Sequence, residues 1–204
     1  MADTLDILTL VEGYRAVNDR VSADAGQGSH DAVLSQWITG ISRRVDDLCG
    51  PVVQRTVTAE HHQGGEPFIV PRKRPVVSVT TIKEYAGVTA TTLTAEDLAA
   101  GTVTGNDYWV EPSTSFIYRR SSGGAARFAP TRVILTYEAG RAVDTASVDP
   151  KFKAATAGIL QRMRNLYGGA WSRGDPFAGE GQVGFFRAVD PMINEFLGHE
   201  LRMV

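Results

Sequence analysis

The stretch that decides the fold is DPKFKAATAGILQRMRNLY, residues 149–167. At 3.6 residues per turn, Phe152, Ala155, Ile159, Met163, Leu166 and Tyr167 fall on one arc of a helix, with Leu160 at its edge. Asp149 suits the N-cap, Pro150 the first helical position, and Gly168-Gly169 a stop. The opposite arc carries Ala154, Ala157, Gly158, Gln161 and Asn165 where an exposed helix would carry Glu and Lys. Lys151, Arg162, Lys153 and Arg164 flank the apolar arc, with stems able to lie over apolar surface and charges reaching outward. The pattern predicts a helix packed on two sides, one by its own domain. The other side, with Ala154, Ala157 and Gly158, is then open to a second helix or a neighbouring subunit. An Ala-rich outer face of a monomeric core is the plainer alternative, because Ala favours helix anywhere.

Outward from that helix, the 204 residues suit one medium domain or a small domain with a large insertion. With 43% hydrophobic and 22% charged residues the composition is that of a folded globular chain. A formal charge of −2 excludes a basic, DNA-coating surface as a whole-chain property. No apolar run is long enough to span a bilayer, and the acidic start MADTLDILTL is unlike a signal peptide, so no membrane partner and a cytosol-like site of synthesis are expected. Cys49 is alone, and its plain reading is a small buried hydrophobe. Acidic residues cluster before Gly50, among them Asp3, Asp6, Glu12, Asp19, Asp24 and Asp31, while the remainder is slightly basic.

In chain order, Thr4–Val17 reads as a first helix and residues 30–49 as a second, capped by Ser29 or Asp31 and ended by Gly50-Pro51. Val52–His62 is β-branched and alternating, and Gln63-Gly64-Gly65-Glu66 reads as a hairpin turn into Phe68-Ile69-Val70. Val76–Tyr85 is a strand, Thr94–Ala99 a single helical turn capped by Thr94, Tyr108–Glu111 with Phe116–Arg119 a hairpin, and Thr131–Glu138 a strand. Residues 168–187 form a Gly-rich arm with Trp171, Phe177, Phe185 and Phe186, rings that burial against another surface would stabilise. A loop folded back on its own domain fits that arm equally. Asp190 caps a short C-terminal helix, PMINEFLGHEL, and the tail Arg202-Met203-Val204 is too apolar for a solvated end.

The expected class is therefore α+β: a small helical bundle of two N-terminal helices, one long central helix and a short C-terminal helix, with an inserted antiparallel β-rich region. The helical part comprises 1–50 and 141–204, and the insertion 51–140.

Few motifs carry chemistry. Gly179–Gly184 matches GxGxxG, but a dinucleotide site needs that pattern at a strand-to-helix turn inside a βαβ unit, which this stretch lacks. Arg173-Gly174-Asp175 is too short to inform. His61 and His62, adjacent on a strand, point to opposite faces and could not easily share a metal. There is no GxSxG, P-loop or HExxH, so no catalytic, cofactor or metal residue is assigned and no enzyme activity is expected. Arg72-Lys73-Arg74, stiffened by Pro71 and Pro75, is the best candidate for a phosphate contact, with a solvated turn or a subunit contact as the alternative.

Pro75-Val76-Val77-Ser78-Val79, Tyr108-Trp109-Val110 ahead of Phe116-Ile117-Tyr118-Arg119, and Val133–Gly140 followed at once by an X-Pro helix resemble the head-to-tail connector (adaptor) proteins of long-tailed bacteriophages. The longer branch of that family, with a β insertion in a helical bundle, as in some prophage and gene-transfer-agent adaptors, is the better match. Arg141 stands where the family usually has an aromatic or small residue, and the 168–187 arm is longer than typical.

The resemblance implies a virion protein made in the host bacterial cytoplasm. Its members form a homo-oligomeric ring, usually twelve-fold, beneath the portal protein, extend the DNA channel without reading sequence, and receive the next neck or tail-completion protein. Phe196, Leu197, Leu201, Arg202 and Met203 become the candidates for portal or partner docking. Ala154, Ala157, Gly158, Trp171, Phe177, Phe185 and Phe186 become candidates for subunit contacts, and Arg72, Lys73 and Arg74 for DNA or an interface. On this reading, removal of 190–204 leaves a folded chain that no longer joins portal. The alternatives are another neck component, a stopper or tail terminator, or a small nucleic-acid-binding protein. A hydrolase would need a clustered His and carboxylate site.

Overall fold

A computed structural model describes residues 5–17, 28–96, 105–167 and 181–198. Among these described residues are four helices and an eight-stranded, mostly antiparallel sheet, an α+β architecture. The chain divides into two compact units, Met1–Gln54 with Arg141–Val204, and Arg55–Gly140.

In the first unit, α1 (Leu10–Ala16) begins at Thr9, whose hydroxyl accepts from the Glu12 amide while the Glu12 carboxylate accepts from the Thr9 amide. This capping box satisfies two of the donors that a helix start leaves unpaired. It also corrects the expected start at Thr4: Leu5–Leu8 is not helical, and Ile7 and Leu8 drop into the core instead. Helix α2 (Gly28–Cys49) ends where Gly50 takes φ +78° and Pro51 follows. Helix α3 (Pro150–Tyr167) starts as its sequence requires, with the Asp149 carboxylate accepting from the Lys151 amide at 2.9 Å.

Helix α4 (Gly181–Leu197) departs from expectation. It begins well before Asp190, so residues 181–187 of the expected arm are helical and Pro191 lies inside the helix. Proline there removes one backbone hydrogen bond. Val189 and Ile193, both buried, flank it, and Asp190, expected to be the cap, instead pairs bidentately with Arg44 at 2.6 Å. The core of this unit joins Trp37, Ile38 and Ile41 of α2, Phe152, Ile159 and Met163 of α3, and Val189, Ile193 and Leu197 of α4.

The second unit holds β1 (Arg55–Gln63), β2 (Phe68–Ile69), β3 (Val76–Ala86), β4 (Thr89–Ala95), β5 (Asp107–Val110), β6 (Ile117–Ser121), β7 (Gly124–Ala125) and β8 (Arg132–Ala139). Their order is β1-β8-β3-β4-β5-β6-β2, with β7 on β6. The β5–β6 hairpin and the β3 and β8 strands match expectation.

Two expectations fail here. Gln63–Glu66 does not turn a hairpin, because β1 pairs with β8 and β2 with β6, at opposite ends of the strand order. Gly64 is needed for a close crossing: a Cβ there would sit 1.8 Å from the Ala129 carbonyl oxygen. Thr94 does not cap a helical turn, since Thr94 and Ala95 end β4 in parallel register with Asp107 and Tyr108; 97–99 of that expected turn lie outside the described residues. Inward residues Ile82, Leu93, Ile117, Val133, Leu135 and Tyr137 form the core of this unit.

Candidate interaction surfaces

On α3, Ala154 is exposed, Ala157 is half-buried against the core, and Gly158 faces α4. A Cβ on Gly158 would lie 3.0 Å from Cζ of Phe196, so the glycine makes room for that ring. Arg162, one turn on, sits 5.0 Å from the Phe196 centroid and donates to both Glu195 oxygens at 2.6 and 2.8 Å. The pair holds the Glu195 carboxyl below its usual range. The small face of α3 thus has an occupant from its own chain at Gly158.

Phe196 nevertheless remains 41% exposed, whereas Leu197 is buried in the core. Of the other expected docking and interface residues, Trp171, Phe177, Leu201, Arg202 and Met203 lie outside the described residues. Phe185 and Phe186 belong to the first turns of α4, their side chains also outside. The Gly179–Gly184 motif runs into the same helix start, so its described part is helix rather than a turn after a strand.

The loop Pro71–Pro75 joins β2 to β3 and is mounted on a buried carboxylate. Glu60 accepts from the Arg72 amide at 3.0 Å and from the Tyr137 hydroxyl at 2.9 Å, and His62 Nε2 lies 2.5 Å away. The Lys73 amide in turn donates to the Tyr137 hydroxyl at 3.0 Å. Burial, with the neighbouring Glu60 carboxylate, raises the Tyr137 pKa and keeps the phenol protonated. Arg72 is exposed, and Arg74 lies 6.0 Å from the Phe116 centroid.

His61 is exposed and His62 is engaged by Glu60, so the two are not brought together. Among the described residues no group of three His, Cys, Asp or Glu side chains could hold a metal ion. Cys49 is buried. No described helix is long and apolar enough to cross a membrane.

One surface was not read from the sequence. Beside Arg74, Phe116 stacks on Phe68 with centroids 5.5 Å apart and planes 3° from parallel. Phe68 meets Tyr118 at 5.8 Å, and Tyr118 meets Trp109 at 5.7 Å. Trp109 and Phe68 both face Tyr118 across the β5–β6 and β6–β2 pairs, so the rings stand on one face of these strands, opposite the buried Ile117 and Ile69. Phe68 is 38% and Trp109 39% exposed. The alternation in Phe116-Ile117-Tyr118-Arg119 was a usable signal, but which strands adjoin could not be read locally.

The strand order, the helical elements and these surfaces can be set against known structures. A chain from the neck of an empty gene transfer agent particle, computed with C6 symmetry, aligns over 91% of this chain and 89% of its own with a TM-score of 0.54 and 15% identity. This chain shares that neck protein's fold. Chains from the virion of a native gene transfer agent particle (TM-score 0.47, 17% identity, 91% and 89% covered) and from the neck of a native particle computed with C12 symmetry (0.47, 15%, 93% and 94%) also align, too loosely to argue from. No family model and no curated protein matches the sequence. The neck fold spans both units, so neither is an addition to it.

Proposed function

We infer that this chain is a structural component of the neck of a tailed, phage-like particle. The observation that carries the reading is the shared fold with a gene-transfer-agent neck chain over 91% of the length. Within the neck, the role proposed is the head-to-tail connector, or adaptor. It forms a ring, with twelve copies as the family's usual number, beneath the portal. The ring lengthens the DNA channel and receives the next neck or tail-completion protein. Catalysis has no part in it.

A helical unit built from both chain ends supports an adaptor over a stopper or tail terminator, the runner-up neck roles, because stoppers tend to be built on β-barrels. A formal charge of −2 supports a lumen through which DNA slides, since dense phosphate contacts would hold it.

The proposed portal contact is the end of α4 and the residues after it. Deletion of 190–204 is a poor test, contrary to the expectation from sequence, because Ile193 and Leu197 are core residues and the deletion would unfold the bundle. The better variant is Leu201→Asp with Met203→Asp in the full chain. Mixed with its portal and sedimented, the unaltered chain should travel with portal rings, electron images should show an added ring, and the variant should stay behind while keeping its circular dichroism. A chain that never joins portal rings would overturn the adaptor reading.

A further inference from the structure

In the β unit, Arg119 pairs with Glu84, Arg120 with Glu96 and Arg127 with Glu66. Lys83 and Arg132 have no carboxylate partner among the described residues, and both are exposed. The two are neighbours. Register sets Tyr85 opposite Arg132 and Lys83 opposite Ile134, so the two cations stand diagonally, with Cα atoms about 7–8 Å apart, on the face of β3 and β8 that points away from the core. From β1 that face receives His61 opposite Ile134 and Gln63 opposite Arg132, and from β4 Thr92 opposite Lys83. His61, Gln63 and Thr92 are exposed, and each can donate a hydrogen bond.

Nothing on this face offsets the two charges. Its one carboxylate among the described residues, Glu138, accepts from the Ser78 hydroxyl and lies four residues along β8 from Ile134. That is about 13 Å, beyond the Debye length at physiological salt. Glu60 and Glu84 point to the opposite face, where both are buried and bonded. Arg132 lies over the half-buried Tyr85 ring at 4.4 Å, which steadies the guanidinium and covers the ring on which an unpaired base would stack. An acidic protein partner would look for an apolar centre as well, and the large apolar side chain here, Ile134, is half-buried. Val88, exposed at the β3–β4 turn, is a single side chain. Adjacent cations among neutral donors match the phosphate oxygens of a duplex, which Arg, Lys, Thr and Gln contact without reading sequence.

We propose that this face of β1, β8, β3 and β4 is a sequence-independent contact for the backbone of duplex DNA. Lys83 and Arg132 meet phosphates, and His61, Gln63 and Thr92 donate beside them. The inference deepens the neck reading and rests on it for the choice of polyanion. Two cations per copy make a sparse contact, which suits DNA that slides.

The test is an NMR titration of isotope-labelled full-length protein with a mixed-sequence duplex of about 20 base pairs. Amide shifts should centre on residues 83–85 and 132–134. Neutralising two phosphates makes log K fall with log salt at a slope of about −1.8, so a rise from about 50 to 200 mM salt should weaken binding about twelvefold. Lys83→Gln and Arg132→Gln should each reduce that salt effect to about 3.5-fold, and together remove it, while Arg72→Gln leaves it unchanged. Arg132→Lys should keep the twelvefold effect. All these side chains are exposed, so thermal unfolding should not change. Shifts centred on 72–74, a salt effect that survives the double variant, or no shifts with about 1 mM duplex would overturn the proposal. Equal binding of polyglutamate, or tighter binding of oligo(dT), would overturn the duplex assignment. The neck reading is tested apart from this, by sedimentation with portal rings, which the double variant should still join. Duplex binding of this kind by a chain that never joins portal rings would leave the surface standing and overturn the neck reading.

Discussion

At Gly158 the missing side chain is filled by the Phe196 ring, and this gives the residue a role that its sequence context left open. Methyl addition has two opposing effects: it relieves the helix of a glycine, worth about 1 kcal/mol, and it presses on a ring 3.0 Å away. Gly158→Ala should therefore be nearly neutral in urea unfolding, while Gly158→Leu should lose about 1–3 kcal/mol as the ring is expelled. In a Phe196→Ala background, with the ring gone, Gly158→Ala should instead gain about 1 kcal/mol. If the effect of the alanine is the same in both backgrounds, Phe196 is not what Gly158 accommodates. At the basic loop, Tyr137→Phe would leave a buried Glu60 oxygen and the Lys73 amide short of a partner. We expect about 1–3 kcal/mol of lost stability and faster hydrogen exchange at the Lys73 amide, with no change at Ile82 in the same core.

The elements were legible where local chemistry sets them. Asp149-Pro150 opens α3, Gly50-Pro51 closes α2, and the β5–β6 hairpin joins neighbours in sequence. Failures occurred where a distant segment decides. Glycines at 181 and 184 and the pair Asp190-Pro191 imitate a loop and a helix start, yet burial of Val189 and Ile193 keeps α4 continuous through them. Gly64 imitates a hairpin turn because the segment that crosses close to it, at Ala129 between β7 and β8, comes from far along the chain. Of the candidate surfaces, the basic loop was legible as a charge run between prolines, and the aromatic stripe was not, since its rings come from three strands. Helix α1 offers a pH test of this local logic. Burial opposes ionisation of Glu12, but the Lys153 ammonium at 2.7 Å and the Thr9 bonds outweigh it, so its pKa is lowered from 4.5. A depressed carboxyl stabilises the fold above its unfolded value, and that contribution is lost as pH falls through the folded value. Glu12→Gln should thus lower stability at pH 7 and flatten its loss below about pH 4.5. A parallel offset at every pH would remove Glu12 from the acid transition.

At the scale of the whole molecule, the β unit leaves and re-enters the helical unit at one place. The Val52 carbonyl accepts from the amides of Arg141 and Ala142, the Gln54 amide donates to the Ala142 carbonyl at 2.8 Å, and Val53 bridges Ala142 in parallel. The two ends of the excursion are therefore held side by side by bonds that belong to the helical unit. Each unit also has its own buried cluster, one drawn from 7–53 with 142–197 and the other from 69–139. Residues 55–140 should accordingly be replaceable by a linker of about twelve Gly and Ser residues, the length that joining a parallel pair requires. We predict that the shortened chain keeps its helical circular dichroism and unfolds cooperatively, its midpoint lowered by the changed loop closure alone, about 1 kcal/mol or less. A shortened chain without cooperative unfolding would show that the helical core needs the β unit to fold, and rings formed by a folded shortened chain would place the subunit contact on the helices.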